Sequence, residues 1–133
     1  MTHIVNPTWE MFDHAGASKS DKRPLVSLQV RGSINLNRAA FEFIGQPEAL
    51  QLFYDRINRL VGFRPAKVGD RAASQVRKAP KSETYAMAAK AFTNYYDIDI
   101  SETRRYEVRM YGDIPAIDLN MPDTTSNRAK RRA

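Results

Sequence analysis

A strand, a glycine turn, a short helix and a β-hairpin follow one another from Leu25 to Pro65. The same order recurs more faintly from Thr84 to Leu119. Units this small cannot bury their own apolar faces, so two copies in one chain constrain it toward one self-completing domain. At 133 residues the chain has room for about one core.

The first unit is the clearer. Leu25-Val26-Ser27-Leu28-Gln29-Val30 alternates as a half-buried strand, Arg31-Gly32 bends the chain, and Ser33 to Leu36 continues extended. Asn37 is a good N-cap for a helix over Arg38 to Ile44, and Gly45 supplies its stop. Ala49 to Tyr54 alternates again, Asp55-Arg56-Ile57-Asn58 carries turn chemistry, and Arg59 to Pro65 returns as a second strand. In the second unit, a shift of 56 positions places Asn37 on Thr93, Leu36 on Phe92 and Leu50, Leu52 and Tyr54 on Tyr106, Val108 and Met110. That shift predicts a strand over Tyr85 to Phe92 and a helix capped by Thr93, with one mismatch, Ile34 against Lys90. The predicted fold is α+β and mostly β. Its two strand-helix-hairpin units form one small barrel-like pseudo-dimer.

The domain boundaries follow from composition. Residues 1–23 are a polar N-terminal segment with Trp9, Met11 and Phe12, and Pro7 to His14 suits a helical turn. Residues 24–119 form the globular domain, with units 25–65 and 84–119. The basic connector at 66–83 joins them, and its stretch Ala72 to Arg77 suits one helical turn. Residues 120–133 read as a disordered basic tail.

At Val26 to Pro65 the order of strand, Arg31-Gly32, Ile34-Asn35-Leu36-Asn37, short helix, Gly45, hairpin and Pro65 resembles the swapped-hairpin domain of AbrB-type regulators and MazE-type antitoxins. The resemblance covers less than a third of the chain. It implies interleaved hairpins, DNA binding through basic residues on one face, and a role in transcription regulation. The family's usual arginines after the turn glycine and on the helix fall here on Ser33, Phe41 and Asp97. What carries over therefore consists of fold residues: Gly32, Leu36, Ile44, Gly45 and the hairpin. Such a pair of units in one chain predicts a monomer with a pseudo-twofold axis; a single working unit predicts a homodimer.

The net charge of +6 is uneven. The two units together are neutral, and the excess lies in the connector and the tail. An excess of cations favours an anionic partner, of which nucleic acid is the commonest. The expected DNA-binding residues are Arg31, Arg38, Lys90, Asn94, Arg104 and Arg105 near the turns and helices, with Arg77 and Lys78 from the connector. If the two units face each other, Arg31 and Arg38 lie opposite Lys90 and Asn94 on one basic-polar face. Arginine and asparagine are types that contact phosphates and base edges. Tyr95-Tyr96, beside Asn94, offers ring faces for stacking, or packing material for the core. The alternative is a protein-interaction or scaffold module that docks through the N-terminal segment.

No catalytic constellation stands out. The two histidines, His3 and His14, lie in the N-terminal segment, and there is no phosphate loop or Ser/His/Asp set. The expectation is a protein that is not an enzyme, with no cofactor and no metal. The chain has no cysteine, so there is no disulfide framework, which suits the cytoplasm. No apolar run approaches the roughly 20 residues of a membrane-spanning helix, and the N-terminus does not read as a signal peptide.

Overall fold

The computed structural model describes residues 7–9 and 22–123, and the fold is stated for these. β1 (Leu25–Leu28) and β2 (Ser33–Leu36) form the first antiparallel pair. Val26, Leu28, Ile34 and Leu36 are buried at alternate positions, which leaves Ser27 and Asn35 on the opposite face. The intervening turn closes when the Gly32 N–H donates to the Gln29 carbonyl at 2.8 Å.

α1 (Arg38–Ile44) follows at once, because Asn37 caps it: its Oδ1 accepts from the Ala40 N–H at 2.8 Å. The helix buries Ala40 and Ile44, then stops at Gly45, which adopts φ 110°. β3 (Ala49–Asp55) and β4 (Leu60–Ala66) form the long hairpin. The Asp55 carboxylate organises its turn, accepting from the backbone N–H groups of Ile57 and Asn58, both at 3.0 Å. Further on come β5 (Ser74–Gln75), β6 (Arg77–Lys78), β7 (Tyr85–Ala88) and α2 (Lys90–Tyr95). The chain ends its described course with β8 (Arg104–Glu107), β9 (Arg109–Tyr111), β10 (Ile114–Asp118) and β11 (Pro122–Asp123).

These strands make two antiparallel sheets. One has six strands in the order β11-β8-β1-β2-β7-β6, the other five in the order β5-β3-β4-β10-β9. Two segments turn from one sheet into the other: Val76 joins β5 to β6, and the buried Val108 joins β8 to β9. Corners where a strand changes sheets are a standard way to link two packed layers. Phe63, Ile34, Leu36, Leu50, Ile117, Val26 and Val61 fill the space between the sheets, all fully buried. No helix among the described residues is long and apolar enough to cross a membrane.

The expected barrel-like pseudo-dimer of two strand-helix-hairpin units is not what forms. The described residues make eleven strands in two sheets with two short helices, and neither sheet closes into a barrel. Each expected unit is divided between the sheets: β1 and β2 enter the six-stranded one, β3 and β4 the five-stranded one. The shift of 56 positions also fails. α2 begins at Lys90, so the strand expected to reach Phe92 ends at Ala88, and Thr93 is a buried residue inside the helix rather than its cap. The helical turn expected at Ala72 to Arg77 is replaced by β5 and β6, which pair with β3 and β7. Beyond residues 7–9, the helical turn expected at 7–14 lies outside the described residues, as does the tail from residue 124 onward.

Candidate nucleic-acid interface

The outward face of the six-stranded sheet is polar because its strands alternate. Register aligns Asp123, Arg105, Ser27, Asn35, Ala86 and Arg77 in one row across all six strands. Paired residues share a face, so this row is the reverse side of the Val26 and Ile34 core layer. A groove of about 700 Å³ opens along it. Ser27 and Asn35 lie in its floor, Asn37 and Arg38 at the start of α1 form one wall, and residues 81–84 form the other. Arg38, Lys78, Lys81 and Arg105 bring four cations to the groove, against the single carboxylate of Glu83.

The four cations are not equivalent. Arg38 is already satisfied, with Nε on Glu42 and Nη1 on Glu83, both at 2.8 Å. Those carboxylates, Glu42 first, hold its guanidinium above its ordinary value. Lys78 and Lys81 have no carboxylate partner among the described residues. Arg105 shares Asp123 with Arg23, at 3.3 and 3.1 Å, which fixes the guanidinium in place. Its Nε–H is buried and has no acceptor among the described residues. A buried donor without a partner is uncommon and calls for an explanation.

Other expected residues collect at the far end of the same sheet. Arg31 lies in the β1–β2 turn, and a Cβ added to the adjacent Gly32 would stand 2.7 Å from the Lys90 Cβ. The turn therefore packs directly on the start of α2, where the Ala89 N–H donates to the Gly32 carbonyl at 2.9 Å. Asn94 is exposed one turn further along α2. Arg104, paired in register with Leu28, belongs to this end and contacts Asp99 and Glu102, each at 3.8 Å. Asp99 is held below the usual carboxylate range, chiefly by the Ser101 backbone N–H and its hydroxyl, with Arg104 and Arg59 adding to the effect.

The single basic face expected from sequence thus resolves into two places. Arg38, Lys78 and Arg105 meet in the groove; Arg31, Lys90, Asn94 and Arg104 gather around the α2 end. Arg77 bonds Gln75 at 3.1 Å near the β6 edge, outside the groove. Lys81 belongs to the basic connector already expected from sequence, whereas Ser27 and Asn35 were missed; the small polar residues at alternate positions of Leu25 to Leu36 were the available signal for them. Among the described residues no group of three His, Cys, Asp or Glu side chains is placed to hold a metal. Trp9 is exposed, whereas Met11 and Phe12 lie outside the described residues. Comparison with known protein families, curated proteins and solved structures finds no match.

Proposed function

We propose that the groove on the six-stranded sheet binds the phosphate backbone of DNA, and that the protein is a non-enzymatic, cytoplasmic DNA-binding component with a regulatory role. The observation that carries this reading is the pair Lys78 and Lys81, which have no carboxylate partner among the described residues, above a floor of hydroxyl and amide groups. Phosphate oxygens accept from all of these donor types. The reading rests on the groove and not on the resemblance at Val26 to Pro65, whose expected arginines are absent. It predicts backbone positioning with little base readout, because Ser27 and Asn35 lie within the sheet and do not project on a helix.

The test is a duplex titration at several salt concentrations, comparing the native chain with Lys78→Glu/Lys81→Glu. The native chain should show a steep salt dependence. The double variant should bind about tenfold more weakly at low salt, with a log–log slope shallower by about 2, one counterion-release unit for each lost lysine contact. Equal affinity for the two proteins would remove the groove from the argument, and no binding near 50 mM salt would remove DNA.

A protein-docking role is the second reading. Trp9 and Ile57 favour it, being 89% and 91% exposed. Deletion of residues 1–21, which spares Arg23 and its bond to Asp123, separates the two: loss of a co-purifying protein with unchanged duplex affinity supports docking.

A further inference from the structure

The α2 end carries a feature that backbone binding does not use. Tyr95 is 74% exposed, yet its ring is well supported. It meets Tyr96 edge-on, with centroids 4.8 Å apart and an interplanar angle of 87°. Tyr96 in turn packs against Phe92 at 5.1 Å and Tyr54 at 4.8 Å. The Arg56 guanidinium from the β3–β4 turn lies 4.9 Å from the Tyr96 ring centre. A ring held this way loses little freedom when something stacks on it, and that lowers the entropic penalty of binding.

The surroundings decide what would stack there. A helical side chain covers the surface over the turn before it, and one turn before Tyr95 stands Ala91, an exposed methyl. Arg56 and Lys90 have no carboxylate partner among the described residues, and the exposed Asn94 amide sits beside Tyr95 in sequence. The nearby carboxylates include Asp55, beside Arg56 and engaged by Ile57 and Asn58, Asp97, exposed just past the helix, and Asp99, engaged by Ser101 and Arg104. The combination of the Tyr95 ring face with the Arg56 cation on the adjoining Tyr96 ring complements a planar group joined to an anion. A nucleotide has that composition. In a duplex, neighbouring bases cover both faces of each base, so only an unpaired base can use such a surface.

We infer that the ledge of Tyr95, Tyr96 and Arg56 stacks an unpaired nucleobase and gives this chain a preference for single-stranded DNA. The inference rests on the DNA reading of the groove, and it adds the form of DNA that the protein takes. Tyr95 supplies the stacking face, while Arg56 meets a flanking phosphate.

Fluorescence anisotropy with a labelled oligothymidine of about 15 nucleotides and with a labelled duplex tests it. Tyr95→Ala should weaken oligothymidine binding about tenfold or more and leave duplex affinity within about twofold. Unchanged duplex binding also reports that the variant is folded. Tyr95→Phe keeps the ring and should retain the native affinity. An abasic oligonucleotide of the same length should bind the native chain as weakly as oligothymidine binds Tyr95→Ala. Native-like binding of oligothymidine by Tyr95→Ala overturns the ledge. If Lys78→Glu/Lys81→Glu loses both ligands at the same time, the groove reading survives that result. If the native chain binds neither oligonucleotide, both readings fall together.

Discussion

α1 and α2 are closed by the same backbone bonds and entered in opposite ways. The Gln46 N–H returns to the Phe41 carbonyl at 2.8 Å, and 52 positions later the Ile98 N–H returns to the Thr93 carbonyl at 2.9 Å. Residues 45 and 97 both take positive φ, at 110° for Gly45 and 55° for Asp97. The entrances differ. Among the described residues the Asn37 side chain accepts from Ala40 and Leu25 and donates to the Arg23 carbonyl. Ala89, at the same place on α2, makes no side-chain cap bond. α2 is held instead by its contact with the β1–β2 turn and by the aromatic packing beneath it. One helix is positioned by an amide that can be read locally, the other by a surface that exists only once the sheet has formed. The likeness extends to the strand before each helix: β2 and β7 also stand 52 positions apart and pair with each other antiparallel.

Three substitutions probe this contrast. Gly32→Ala should do the most damage, because φ is +91° there and the new methyl would meet the Lys90 Cβ at 2.7 Å. A loss of about 3 kcal/mol is expected, measured by urea unfolding, together with a changed near-ultraviolet signal from the tyrosines around α2. Asn37→Ala should cost about 2 kcal/mol, since it removes a cap and two further bonds, and the α2 aromatics should keep their native signal. If it disturbs α2 as much as Gly32→Ala does, the two helices are not independently anchored. Asp97→Gly should be the smallest effect and of opposite sign, stabilising by about 0.5 kcal/mol because glycine adopts the left-handed conformation without strain. A destabilised variant would mean that the Asp97 side chain does more than tolerate its backbone.

The same contrast explains what the sequence made legible. Arg38 to Ile44 was readable because Asn37 and Gly45 mark its ends, and the β3–β4 hairpin because Asp55 and Asn58 mark its turn. α2 has no such mark at its start. Aligning its buried Thr93 with Asn37 moved it by one helical turn and created the mismatch of Ile34 with Lys90. β5 and β6 have two residues each and exist only through pairing with β3 and β7, which no local pattern announces. The site behaves likewise. Arg104 and Arg105 are neighbours of the same charge, but strand alternation sends Arg105 to the row shared with Ser27 while Arg104 meets Asp99 and Glu102. That separation depends on the register of β8 against β1, which neither segment specifies alone.

The order of the six-stranded sheet has a consequence for how the chain is made. β1 lies between β2 and β8, so Leu25 must wait for Glu107 before its second edge is paired. During translation β1 and β2 leave the ribosome before β8, the strand that covers the second edge of β1. A message cut short before residue 104 would leave β1 with an open row of donors and acceptors beside Val26 and Leu28, a surface prone to pairing between chains. Completion of β8 thus acts as a checkpoint on β1.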